Sequence, residues 1–145
     1  MLKFLWQVSW KQKILLLVIL FLLCIMRIVI LVIPFRHYFK VLLRPNPKLN
    51  FIMTPKKFGY ARAIGRLTKI MATCTIWESK CLVQGLTVRL LLRLLHIPNI
   101  FYLGVGKDEA QQFTAHAWIS CQNLTVIGGE DSFCKFKIIS QFEDN

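Results

Sequence analysis

Cys81 and His116 are the residues with the most chemistry to offer. Cys81 follows Trp77-Glu78-Ser79-Lys80 and opens an apolar run that continues to about Leu95. The pattern predicts a helix with Ser79 or Lys80 near its N-cap and Cys81 in its first turn. There the unpaired backbone N–H groups and the positive end of the helix dipole favour a thiolate, and Lys80 adds to the effect. The same N–H groups would hold an oxyanion as a tetrahedral intermediate forms. Phe113 to Ser120 reads as a strand, in which His116 shares a face with Thr114 and Trp118. A cysteine opening a helix and a histidine in a later strand is an arrangement that suits a thiol nucleophile and its base. Trp118 would cover the imidazole and exclude water. The competing reading of Cys81 is an inert core thiol.

Gln84 lies three residues after Cys81, on the same helical face. It would orient a substrate or support the oxyanion, unless it is an ordinary polar residue of the helix. A third catalytic member is harder to place. If Gln122-Asn123 is a two-residue hairpin turn, Cys121 pairs with Leu124, Trp118 with Ile127 and His116 with Gly129. An orienting carboxylate is expected there, and the chain has Gly128-Gly129. Glu130 and Asp131 follow, so a small register change or a bent strand end supplies one, with Asp131 preferred. Otherwise a backbone carbonyl must fix the histidine tautomer, and both acids belong to a solvated turn.

The framework that must position these groups is small: 145 residues suffice for one modest domain and an appendage. Ile14 to Ile33 is a run of twenty residues with one charge, Arg27. As a helix it is about 30 Å long, enough to cross a hydrocarbon core, and it is apolar all round rather than striped. The alternative is a long hydrophobic helix lying against the catalytic domain or a partner. Pro34 ends it, and Arg44-Pro45-Asn46-Pro47 reads as an extended linker, so residues 1–50 form a hydrophobic helix and basic linker ahead of a domain at 51–145. Thr54-Pro55 marks the start of a basic amphipathic helix, with Phe58, Ala61, Ile64, Leu67 and Met71 at helical spacing.

The Cys81 helix follows, with Arg89 and Arg93 on its wet edge and His96 near its C-terminus, where a histidine commonly caps carbonyls. Strands are expected at Ile100–Val105, Phe113–Ser120 and Phe133–Ile139. Gly106-Lys107-Asp108-Glu109 forms a polar turn, and Glu143-Asp144-Asn145 a frayed tail. The fold class is α+β, a nucleophile helix packed on a small antiparallel sheet.

Net charge is +12, and residues 1–93 carry +15 of it against −3 for residues 94–145. Such a split points to an anionic partner, and beside the apolar run that partner is membrane lipid. No recognition motif accompanies the charge, so nucleic acid is not expected. Five cysteines lack paired or zinc-finger spacing, which argues against a disulfide framework and a metal site and for a reducing, cytoplasmic setting. No phosphate loop or other cofactor motif is present.

Cys81-Leu82-Val83-Gln84-Gly85, the Leu/Arg-rich helix, Ile97-Pro98, Leu103-Gly104-Val105, Ala115-His116-Ala117-Trp118 and Val126-Ile127-Gly128-Gly129 resemble the lasso-peptide leader peptidase. This is the transglutaminase-like B protein of bacterial lasso-peptide biosynthesis in its split form, and the likeness spans residues from about 55 to 139. It implies a papain/transglutaminase-type fold and a cysteine peptidase removing the leader of a ribosomally made precursor peptide. Cys81 matches the nucleophile and His116 the base, whereas the family's aspartate falls near Gly128. The resemblance also implies a separate leader-binding protein of winged-helix recognition type, a macrolactam cyclase, an ABC exporter and ATP dependence. Two other functions fit the same residues: acyl transfer to an amine by the same dyad, and a catalytically silent, membrane-associated scaffold presenting the precursor or leader-binding protein to the cyclase.

Overall fold

The helical periodicities come first along the chain and the strand alternation after them. A computed structural model describes residues 10–43, 53–107 and 111–144. The linker read at Arg44-Pro45-Asn46-Pro47, the turn acids Asp108 and Glu109, and Asn145 lie outside the described residues. The elements are α1 (Trp10–Val32), α2 (Phe35–Leu42), α3 (Pro55–Cys74), α4 (Cys81–Leu94), β1 (Asn99–Lys107), β2 (Phe113–Cys121), β3 (Leu124–Ile127), α5 (Ser132–Lys135) and β4 (Lys137–Asp144). The strands form an antiparallel sheet in the order β3-β2-β1-β4. This is an α+β fold with helices packed on a small sheet and a hydrophobic helix leading the chain.

Local signals set the helix ends. Thr54 caps α3, its Oγ1 accepting from the Lys57 amide at 3.3 Å, and Pro55 occupies the first turn, where its missing N–H costs nothing. At the end of α4 the chain turns left-handed at His96 (φ 52°). The His96 amide then bonds to Arg93 O and the Ile97 amide to Leu92 O, the paired closure that satisfies the last carbonyls of a helix. The backbone of His96 therefore does the capping.

Pleat alternation divides the sheet into two unlike faces. One carries Phe101, Leu103, Ala117, Ile119 and Cys121 into the main core, where they meet Val83 and Leu86 of α4, Ala61 and Ile64 of α3, and Ile19 and Leu23 of α1. The other carries Tyr102 and Trp118, whose rings stack at 5.4 Å, with Phe133 of α5 edge-on to both.

Four local expectations change. α1 is striped in its environment although not in its sequence, with Leu16, Ile19, Leu23 and Met26 buried and the opposite side exposed. Pro34 is followed at once by another helix, α2, since a proline suits a helix start as well as a stop. Phe133 lies in the short α5, and the last strand begins only at Lys137. Glu143 and Asp144 of the expected frayed tail are instead part of β4, and Asp144 is 2% exposed.

Asp144 also corrects the reading of the two arginines. Arg93 grips it with a two-pronged bond, Nε to Oδ2 at 2.8 Å and Nη2 to Oδ1 at 3.1 Å. Arg89, expected on a wet edge, is 1% exposed and donates to Phe142 O at 2.8 Å and Asn99 Oδ1 at 3.3 Å. Burial pushes the Arg89 guanidinium down to about 10, with Asp144 opposing the shift and Arg93 reinforcing it. Removing Asp144 would take the two-pronged partner from partly exposed Arg93 and a nearby negative charge from buried Arg89, and losing such charge-assisted bonds typically costs about 1.5–3 kcal/mol. Asp144→Ala is expected to lose stability on that scale in urea denaturation. A loss under about 1 kcal/mol would show that the cluster contributes little.

Candidate active site

Cys81 is the first helical residue of α4, after Lys80 in extended conformation, and no side chain caps that turn. The loop before it is drawn tight. Thr75 Oγ1 lies within hydrogen-bond distance of Ala72 O, Trp77 O and Ser79 Oγ. Gln84 reaches back to donate to Ser79 O at 2.6 Å. Its side-chain amide therefore braces the approach to Cys81. Lys80 is paired with Glu78 at 3.2 Å, and Glu78 also lies 3.8 Å from Arg27 of α1. That pairing offsets part of the positive charge Lys80 would bring to the thiol.

His116 sits on β2 with Nε2 2.7 Å from Gly128 O. A carbonyl can only accept, so Nε2 carries the proton, and in the neutral ring Nδ1 is left as the basic nitrogen. The ring stacks on Phe136 at 4.6 Å and on Trp118 at 5.9 Å. Trp118 is fully buried and flanks the imidazole as its spacing suggests.

The β2–β3 register explains why a carbonyl stands beside the imidazole. Cys121 faces Leu124 and Ser120 faces Thr125, as a two-residue turn requires. The pairing then slips, and Ile127 faces Ile119 rather than Trp118. One extra residue, Val126, is accommodated in β3, a bulge that the turn alone could not announce. The chain leaves the strand through Gly128 (φ 105°) and Gly129 (φ 100°), a conformation other residues rarely adopt. A side chain at Gly128 would also collide with the Trp118 Cβ. Ser132, buried at the start of α5, donates to the same Gly128 O at 2.9 Å. Asp131 is exposed and pairs with Lys135 at 3.3 Å, and Glu130 is exposed as well.

Cys81 and His116 border one cavity of about 420 Å³, which is lined mainly by apolar groups that include Phe35, Phe39, Leu82 and Leu103. The pair is open. No hydrogen bond joins thiol to imidazole among the described residues, because the pleat that turns Ala117 toward α4 carries the His116 ring to the Trp118 face. Phe35 and Phe39 were not anticipated, although Phe35, Tyr38 and Phe39 at i, i+3 and i+4 are an amphipathic signal. Ser132 left no signal in the sequence.

The other thiols differ in setting. Cys121 is buried and its thiol is pushed up to about 12 by desolvation, Cys24 is half-buried, and Cys74 and Cys134 are exposed. No cluster of His, Cys, Asp and Glu able to hold a metal occurs among the described residues.

Two predictions follow from these environments. The folded state keeps Cys121 protonated between pH 9, where an unfolded thiol ionises, and about 12. It then holds more protons than the unfolded state, so stability should fall as pH rises above 9, by at most about 1.4 kcal/mol per unit. Cys121→Val should flatten that slope in pH-dependent denaturation, and an unchanged slope would remove Cys121 as its cause. Gly128→Ala combines backbone strain with a clash and should cost about 2–4 kcal/mol in the same assay. A neutral result would mean that the turn can re-form around a side chain.

Residues 40–141, well over half of the chain, match the family model described as the transglutaminase-like superfamily. No curated protein and no solved structure matches the chain.

Proposed function

The chain belongs to the transglutaminase-like superfamily, the family associated with the leader-peptidase systems of lasso-peptide biosynthesis, and we propose that it is a cysteine peptidase that removes the leader of a ribosomally made precursor. The observation that carries the proposal is that Cys81, at an uncapped helix start, and His116, with Nε2 engaged and Nδ1 basic, border the same cavity.

His116 Nδ1 takes the Cys81 proton, and the thiolate attacks the scissile carbonyl carbon. The first-turn N–H groups of α4 hold the resulting oxyanion. The C–N bond breaks as the imidazolium protonates the leaving amine, leaving a thioester. Water, deprotonated by His116, then attacks the thioester, releasing the carboxylic acid and restoring the thiol. Gly128 O takes the orienting role for which Asp131 is the sequence-based candidate. Gln84 acts by bracing the loop, and Trp118 by shielding the ring. Catalytic hydrogen bonds commonly tighten only when substrate is bound, so seating of the precursor is the step that closes the pair.

The precursor arrives with a separate leader-binding protein. The cyclase, an ABC exporter and ATP use belong to the wider system and not to a motif of this chain. The setting is cytoplasmic, with α1 associating with membrane.

A second reading, the catalytically silent scaffold, draws on the open pair and on a neutral carbonyl where the family has a carboxylate. The two separate by thiol chemistry, read by mass spectrometry of the Cys81 peptide after iodoacetamide treatment. Alkylation of wild-type Cys81 is expected to outpace that of exposed Cys74 in the presence of precursor and leader-binding protein, and to slow in His116→Ala. Asp131→Ala should leave it unchanged. Precursor cleavage should vanish in Cys81→Ala and fall by about 100-fold or more in His116→Ala. Tight partner binding with Cys81 alkylated no faster than Cys74 and no cleavage would establish the scaffold.

A further inference from the structure

α1 is apolar all round, yet its two sides have different fates. Leu16, Ile19, Leu23 and Met26 are buried, Ile19 and Leu23 completely, against α3 and α4. Ile14, Leu17, Phe21, Ile28, Leu31 and Val32 are exposed. The first five recur at intervals of three, four and seven residues, with Val32 beside Leu31, which lines them along one side for the length of the helix. That face carries no charge. Arg27, the one cation inside the run, turns toward Glu78.

We propose that this outer face of α1 seats in one leaflet of an anionic phospholipid bilayer, with the helix lying along the surface and not crossing it. The proposal rests on the membrane association above and specifies its geometry and its lipid.

Gln12–Val32 is long and apolar enough to cross a membrane. Its packing decides against that. The buried stripe from Leu16 to Met26 rises about 15 Å, roughly half of a hydrocarbon core, and is covered by α3 and α4 over that span. A crossing α1 would draw both helices in with it, and α3 carries exposed Arg62, Arg66 and Lys69. Pulling α1 free instead would bare the stripe together with Ile64 and Leu86, which it helps to bury. A helix lying in the surface plane meets neither cost, because protein covers its inner side and lipid tails cover its outer side.

Charge selects the lipid. Arg36 and Lys40, just beyond the C-terminal end of α1, are exposed, and Lys13 stands at the other end over the Trp10 ring. The first 93 residues hold a single acid, Glu78, which is paired with Arg27 and Lys80. An apolar face bracketed by unopposed cations fits acyl chains below anionic headgroups. Phe35, half exposed at the start of α2 and three residues beyond α1, also lines the cavity. The α2 wall of the site therefore stands at the membrane surface.

The test uses the full chain with vesicles of phosphatidylcholine alone or mixed with phosphatidylglycerol. A genetically encoded fluorescent side chain is placed at Ile14, Phe21 or Ile28 and quenched by lipids bearing a nitroxide at the headgroup, mid-chain or chain end. Binding should be at least about tenfold tighter to the anionic vesicles. Phe21→Asp, an exposed position, should weaken it by a similar factor with the circular dichroism spectrum unchanged. All three labels should report one shallow depth. Deep quenching at Phe21 with shallow quenching at Ile14 and Ile28 would mean a crossing helix, overturning the geometry while membrane association stood. Equal binding to both vesicles would overturn the anionic preference. Failure to bind either would overturn the association itself and assign the face to a protein partner.

Discussion

The arrangement depends on how closely α4 lies against the sheet. Gly85 makes that approach possible, since a methyl group there would stand 2.8 Å from the Phe101 ring. Arg89 and Arg93 fasten the far half of the helix to Phe142 O and Asp144 on β4. A helix held by packing near one end and by ion pairing near the other has little freedom to tilt. The backbone of its first residue, Cys81, is therefore fixed relative to β1 and β2, and closing of the Cys81–His116 pair falls to the side chains. The Gln84–Ser79 bond extends that rigidity into the loop before it. Catalytic geometry is most accurate when built on such elements, because small displacements of a nucleophile are costly.

His116 is held by different means. Its ring belongs to the aromatic side of the sheet, clustered with Phe136 and Trp118, and Gly128 O fixes its tautomer. A carbonyl orients an imidazole as well as a carboxylate does. It contributes less when the ring becomes cationic, because a dipole stabilises a charge less than an opposite charge does. Ser132, donating to the same carbonyl, ties the base to α5 and hence to the start of β4.

α1 is tied to both the core and the site. Its inner stripe is core to the domain, and the Arg27–Glu78 contact ties it to the loop leading into Cys81. Exposed ion pairs of this kind contribute little stability, so the link to the site is chiefly one of position. α2, directly after α1, closes the cavity with Phe35 and Phe39 and packs Phe39 edge-on to Phe142 at 4.7 Å. The segment proposed to meet the membrane and the segment that walls the cavity are consecutive.

The sequence alone determined what short-range rules govern. The Thr54-Pro55 start of α3, the placement of Cys81 at the head of α4, the strand containing His116 and the turn at Gln122-Asn123 all follow from spacing, capping and turn chemistry within a few residues. The family likeness was legible in the same motifs. Tertiary structure decided whatever depends on partners distant in the chain. Arg89 looked like a wet edge because the groups that bury and bind it, Phe142 O and Asp144, lie some fifty residues away. α1 looked uniform because both its stripe and its bare face are apolar, and only the presence of α3 and α4 on one side tells them apart. The neighbour of His116 turned on a one-residue bulge at Val126, which moves every later partner without altering composition or periodicity. Local interactions are written in adjacent residues, whereas register and burial are set by surfaces that exist only after the chain has folded.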